Sequence, residues 1–236
     1  MEITMNDEAA IPVTVASDSH LGEFFVLRPS FRGNGQSAGL KIANEELLLP
    51  PGMNTMDPPN GDPKQYPVRP HLVQVPGQQE MPRDFEKLAG IWIVSEALKQ
   101  VFDAVDPEGF AFAACDFTLA DGTQAPQYYL CSVTRWLDAI DESESRVQIE
   151  IEHDYETGKD LNFYSVSGGA SLVFKREVVG NAHIFRQSRL GTEAICDRVM
   201  FDGLNAAKLS GLLLRDAADL QQSIETKIFI PPCNRT

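Results

Sequence analysis

Apolar residues recur at helical spacing in two parts of this chain, and the polar positions around them are arranged alike. In the first, Ile93-Val94 is followed by Ser95, then by Ala97, Leu98, Val101, Phe102 and Val105, and then by Gly109 and Phe110-Ala111-Phe112. In the second, Ile195-Cys196 is followed by Asp197, then by Val199, Met200, Gly203, Leu204 and Ala207, and then by Gly211 and Leu212-Leu213-Leu214. The matched apolar positions fall on one helical stripe. Ser95 and Asp197 each carry a side-chain oxygen able to accept from the free N–H groups of a first helical turn. Gly109 and Gly211, each fourteen residues past its cap, suit the left-handed turn that ends a helix, and the apolar triplet after each reads as a buried strand. Each unit therefore predicts a short strand, a capped helix of about three turns and a second strand. Agreement at cap, stripe and glycine predicts a structural repeat, residues 93–112 and 195–214, offset by 102 positions.

Elsewhere the patterns are shorter. Ile11, Val13 and Val15 alternate as an edge strand or a tail would, and Phe24-Phe25-Val26-Leu27 predicts a strand bounded by Gly22 and Pro29. The glycine-rich run from Arg32 to Gly39 has neither phosphate-loop spacing nor a helix pattern after it, and reads as a surface loop. Nine of the fifteen prolines lie between Pro50 and Pro82. That density excludes a regular helix or a central strand, apart from a short strand at residues 71–75. The segment either wraps the core, anchored by Tyr66, Val68, Leu72 and Val75, or forms an arm that binds a partner. Asp121-Gly122 predicts a hairpin turn between residues 117–119 and 128–133. Val133, Trp136, Leu137 and Ile140 have the spacing of a short amphipathic helix. Residues 162–174 read as β structure with a turn at Gly168-Gly169, and Lys227-Ile228-Phe229-Ile230 as a last strand in a peripheral tail.

The strongest polar patterning follows the run Asp141-Glu142-Ser143-Glu144-Ser145. Gln148, Glu150, Glu152, Asp154 and Glu156 alternate with Ile149, Ile151, His153 and Tyr155, so a strand here puts the acidic side chains on one face. Between Asp138 and Asp160 nine acidic residues stand against two basic ones. Like charges in such close succession need solvent or a partner to screen them. Asp141, Glu142, Glu144, Glu150, Glu152, Asp154 and Glu156 thus form a candidate partner-binding surface, or else the charged guard of a solvated edge strand.

Composition narrows the setting. With 236 residues the chain can bury an ample core, and its formal charge of −14 opposes binding to nucleic acid or an anionic membrane and either favours a basic partner or serves solubility alone. Cys115, Cys131, Cys196 and Cys233 form no C-x-x-C pair, and the first three sit in apolar surroundings, so neither a disulfide framework nor a zinc knuckle is expected. The first eight residues lack the basic and apolar regions of a signal peptide, and no apolar run approaches the ~20 residues that span a bilayer. Together these predict a reducing, cytoplasmic setting.

Chemistry has little to build on. His20, His71, His153 and His183 share no metal-ligand spacing. On a strand, His153 faces away from Glu152 and Asp154. Ser167-Gly168-Gly169 lacks the strand-to-helix context of a nucleophile elbow. No catalytic residue, metal or cofactor is expected. Trp92, Trp136, Tyr128 and Tyr129 suit core packing, and any that is exposed beside acidic residues suits a binding hot spot.

Trp92-Ile93-Val94-Ser95-Glu96 with Leu98 and Phe102, then His183-Ile184-Phe185-Arg186, and Ile195-Cys196-Asp197 closing at Leu209-Ser210-Gly211 resemble the immunity proteins of bacterial polymorphic-toxin systems, specifically immunity family eleven, formerly a domain of unknown function. The resemblance covers roughly residues 84–220, with an echo at Glu23-Phe24-Phe25-Val26-Leu27. It implies a non-enzymatic protein that binds a cognate toxin and blocks its active site or substrate access, and it supplies no catalytic residue. The charge adds that the toxin is basic, as a nuclease must be. The expected fold is α+β, a mixed or mainly antiparallel sheet with two pseudo-equivalent strand-helix-strand units. The expected parts are an N-terminal strand and proline-rich extension (1–83), a core (84–220) and a tail (221–236). An enzyme or small-molecule-binding domain is the alternative, and a homo-oligomeric structural protein a third.

Overall fold

The computed structural model describes residues 18–32, 39–48, 66–77, 80–88, 90–155, 157–191 and 194–220. In chain order its strands begin with β1 (Phe24–Pro29), β2 (Leu40–Ile42), β3 (His71–Gln74), β4 (Phe85–Leu88), β5 (Ile91–Ser95), β6 (Phe110–Ala114) and β7 (Asp116–Thr118). They continue with β8 (Tyr128–Val133), β9 (Trp136–Leu137), β10 (Gln148–Asp154), β11 (Lys159–Ser165), β12 (Ile184–Gln187), β13 (Ala194–Asp197) and β14 (Leu212–Asp216). The helices are α1 (Glu45–Leu48), α2 (Glu96–Val105), α3 (Arg176–Val179) and α4 (Arg198–Ala207). The fold is α+β, and pairing is antiparallel except between β3 and β7 and between β9 and β12.

Two sheets carry the architecture. One has the order β4-β5-β8-β6 and the other β14-β1-β13-β12-β9. In the first, β5 runs into α2 and on to β6, while β8 lies antiparallel between β5 and β6. In the second, β13 runs into α4 and on to β14, while β1 lies antiparallel between β13 and β14. Each sheet thus holds a strand-helix-strand unit whose two strands are split by one antiparallel strand. In one sheet that intervening strand follows the unit in the chain, and in the other it is the first strand among the described residues. Residues 24–29, within the stretch that reads from sequence as an N-terminal extension, accordingly lie inside a sheet.

Side-chain alternation builds the layers. Phe25 and Leu27 of β1, Trp92 and Val94 of β5, and Ala194 and Cys196 of β13 meet Leu98 and Phe102 of α2 and Met200 and Leu204 of α4 in a central core. The other faces are covered too: Phe24, Val26 and Ile195 join Phe174, Phe185 and Leu172, while Ile91, Ile93 and Leu130 join Leu72, Phe117 and Tyr66 under the three-stranded sheet β2-β3-β7. Strands buried on both faces carry unbroken apolar runs, as residues 24–27 and 91–94 do. The helices pack on one another where Gly203 of α4 faces Val101 and Val105 of α2.

Ser95 Oγ accepts from the Leu98 N–H at 3.2 Å, and Asp197 Oδ1 from the Met200 N–H at 3.0 Å. The glycines differ from the expectation. The residue in the left-handed region at the end of α4 is Lys208, with φ 52°, and Gly211 takes φ 85° three residues later. Gly109 is not left-handed at all. It is small because a Cβ there would run into Ile184 of β12 and crowd Asp106.

Two further expectations are corrected. Residues 133–140 form no helix: β9 pairs in parallel with β12, and the buried Gln187 side-chain oxygen accepts from Ala139 and Ile140 at 2.8 and 3.1 Å. Those tertiary partners fix extended backbone against the helical spacing. The turn at Asp121-Gly122 exists, with Leu119 N–H donating to the Thr123 carbonyl at 2.8 Å. Antiparallel pairing across it joins Thr118 to Gln124, and the Ala125 N–H donates to the Phe117 carbonyl at 2.9 Å, but it stops short of β8, which is held between β5 and β6 while β7 adds to β3. Of the proline-rich stretch, Tyr66 and Leu72 are buried in the core beneath β3. Residues 11–15, the turn of the glycine-rich run at 33–38, and residues 227–233 lie outside the described residues.

Candidate functional site

The acidic alternation forms β10, as its period of two predicts, and among the described residues β10 pairs only with β11, in a two-stranded arm. The register places Glu150 opposite Phe163, Glu152 opposite Leu161 and Asp154 opposite Lys159 on one face of the arm. On the other face Ile149 stands opposite Tyr164, Ile151 opposite Asn162, and His153 opposite Asp160, whose carboxylate lies 2.8 Å from His153 Nδ1. On this face Tyr164, at the base of the arm, is buried, but the side chains that β10 contributes are not. Ile151 is 70% exposed and Tyr155, at the tip, 92%.

The six acidic candidates among the described residues do not form one surface. Asp141, Glu142 and Glu144 lie in the turn before β10, where Asp141 Oδ1 accepts from the Ser143 N–H at 3.0 Å and from its hydroxyl at 2.6 Å. Glu142 Oε1 accepts from Tyr164 Oη at 2.6 Å and Asn162 Nδ2 at 2.9 Å. Because Tyr164 and Asn162 share a face with Ile149 and Ile151, Glu142 sits on that side of the arm, opposite Glu150 and Glu152. These bonds hold the Glu142 carboxyl below the usual carboxylate range, the Tyr164 bond contributing most. Burial and the same contact push Tyr164 up to about 12. Asp141 is lowered by its Ser143 bond. Both carboxylates are thus engaged in holding the base of the arm, which also lines an open cleft of about 290 Å³ with Asp138, Lys175 and Arg189. Glu150 accepts from its own strand neighbour Gln148 at 3.1 Å, and Glu150 and Glu152 point their charge into solvent. Asp154 is half-buried and accepts from Thr157, while Glu156 lies outside the described residues.

A second group was not singled out by sequence. Beside an open cleft of about 470 Å³ lie Asp106, Glu108, Arg135 and His183. His183 Nδ1 is 2.8 Å from Asp197 Oδ2, so the residue that caps α4 also orients this ring. Asp106 accepts from Arg135 Nη1 at 2.5 Å and from the His183 N–H at 2.9 Å. Burial works to raise the Asp106 pKa, but these bonds outweigh it and hold the carboxyl below its ordinary range. The group is a set of joints between α2, β9 and β12. No spacing along the chain announces it, since its members are brought together from positions 106, 135, 183 and 197.

The tryptophans divide. Trp92 is buried edge-on against Phe85, whereas Trp136 is 56% exposed on β9 with the Arg186 guanidinium over its ring. Tyr128 is buried, and Tyr129 bonds Glu96 on α2. The cysteines Cys115, Cys131 and Cys196 are buried free thiols, and burial pushes Cys115 up to about 12 and the other two up as well. Such thiols are unreactive core residues. Among the described residues no helix is long and apolar enough to cross a membrane.

The profile of the Immunity protein family (Imm11) matches residues 23–219. A search of curated proteins returns no match to the chain.

Proposed function

The chain belongs to the Immunity protein family (Imm11), and from that premise we propose that it binds a cognate bacterial toxin and neutralises it by covering the active site or the path of substrate to it. The arm is the docking element in this reading. The observation that supports it is the exposure of Glu150 and Glu152 on a strand that contributes nothing to the cores of the two large sheets. A charged face of this kind raises the rate of capture of a basic surface more than it adds to final affinity. The toxin is basic in this account, and a nuclease fits because its own substrate is anionic. The protein itself performs no catalysis, uses no cofactor and acts in the cytoplasm, where it binds neither nucleic acid nor membrane.

The test is to purify the chain with the products of the genes next to its own, then to ask whether it restores growth to cells expressing the captured neighbour. A stable complex that restores growth supports the reading. Absence of capture and of rescue against every neighbour would sink it.

A further inference from the structure

The arm has two long edges, and they are not alike. Along β11 the outer edge is closed by the turn after β12: the Tyr164 N–H donates to the Arg189 carbonyl at 2.8 Å, and Arg189 Nε donates to the Asn162 carbonyl at 2.9 Å. Both backbone groups therefore point away from β10. That makes Ile149 with Tyr164, and Ile151 with Asn162, the non-hydrogen-bonded pairs of the antiparallel ladder. It follows that on β10 the N–H and C=O groups of Ile149, Ile151 and His153 point outward along the opposite edge. Among the described residues no strand pairs with that edge, and residues 148–153 are all exposed.

An unpaired edge is a template for another strand, and proteins protect one by keeping it short, bulged or interrupted by proline, or by setting charge along it. β10 is seven residues long, contains no proline, and displays Ile149 and Ile151 to solvent. Its charge is selective. A second copy pairing here would bring acidic side chains against acidic ones, which is unfavourable across a ladder. A basic strand would be attracted.

We infer that β10 is a docking edge to which a partner protein adds an extended segment as a third strand, placing Lys or Arg beside Glu150 and Glu152 and apolar side chains beside Ile149 and Ile151. Main-chain bonds then supply affinity, and the alternating side chains supply specificity. The naming of that partner as a toxin rests on the proposed function; the edge and its chemistry do not.

The probe is a fluorescent, end-blocked peptide of about twelve alternating lysine and valine residues, titrated by anisotropy against the full chain. Saturable binding is expected, together with slowed hydrogen exchange at the Ile149, Ile151 and His153 amides. Ile151→Pro removes one outward N–H while leaving the β10–β11 bonds in place. It should weaken binding by about tenfold, as the loss of one or two hydrogen bonds would, whereas Ile151→Thr should bind like the native chain. A peptide of equal charge interrupted by prolines should not bind. The inference is overturned if the probe does not bind, if those amides exchange as before, or if the proline-interrupted peptide binds equally well. Rescue of growth without edge protection would leave neutralisation standing and remove strand addition; edge protection without rescue would do the reverse.

Discussion

Replacing Glu86 with glutamine removes a charge from a junction that holds the two large sheets together. The Glu86 side chain is 2% exposed on β4, where it is paired with Arg32 and with Arg83, whose Nη2 lies 2.8 Å away. Arg83 also donates to the Ser30 hydroxyl at 2.9 Å and to the Ser30 carbonyl at 2.8 Å, just past the end of β1. The variant keeps both guanidinium groups but not their counter-charge. Removing one partner of a buried pair costs about 3–5 kcal/mol. Arg32 and Arg83 are 11% and 22% exposed and reach some water, so the expected loss lies near the lower figure, about 3 kcal/mol. Urea unfolding at pH 7, followed by the fluorescence of buried Trp92, measures it. The pH dependence gives a second reading. Burial works to raise the Glu86 pKa, but hydrogen bonds from Arg83 and Arg32 outweigh it, and the native carboxyl titrates below its ordinary value. The stabilisation is therefore complete above about pH 4.3 and is lost as pH falls through the lower native value. The gap between native chain and variant should narrow over that acid range. A loss below about 1 kcal/mol at pH 7, the size of an exposed pair, or a gap that does not change with acid, would mean that Glu86 is not the buried counter-charge of Arg32 and Arg83.

Other substitutions test the joints and the arm. Gly109→Ala puts a methyl group against buried Ile184 and should cost about 1–3 kcal/mol, read as a lowered urea midpoint with unchanged slope. Ser95→Ala and Asp197→Ala should each cost about 1–2 kcal/mol in the same experiment, because each removes a helix cap together with a second bond, to Asp84 from Ser95 and to His183 from Asp197. Paired Glu150→Lys and Glu152→Lys changes should leave stability within about 0.5 kcal/mol, while stopped-flow mixing with the captured toxin shows slower association and a weaker dependence on salt. The two strand-helix-strand units, with β8 and β1 as their intervening strands, should superpose in a crystal structure; helices that point to different ends of their sheets would remove the proposed pseudo-equivalence.

Local signals were legible in the sequence wherever one element decides its own structure. Ser95 and Asp197 act within the first turn they cap, and the alternation from 148 to 154 needs only a strand to divide its faces. The misreadings come from partners distant in the chain. Nothing between Val133 and Ile140 discloses that Gln187, some 47 positions later, accepts from the backbone there. Gly109 fits a helix-ending turn until Ile184 is placed against it. Phe24-Phe25-Val26-Leu27 reads as a strand, but its place between β13 and β14 depends on residues near the other end of the chain. For the candidate site, the acidic strand was visible as such. The separation of Glu142 from Glu150 onto opposite faces of the arm was not, because it follows from the Tyr164 and Asn162 contacts. The open edge of β10 was invisible too, since it depends on Arg189 closing the other side.

Hydrogen exchange on the full chain, alone and in complex with the neighbour whose toxicity it relieves, separates docking at the arm from docking elsewhere. Slowed exchange is expected in β10 and at the tip of the arm, with the β14 edge and the cleft beside His183 unchanged. Protection centred on the His183 cleft or on Trp136, with the arm exchanging as freely as before, would contradict docking at the arm.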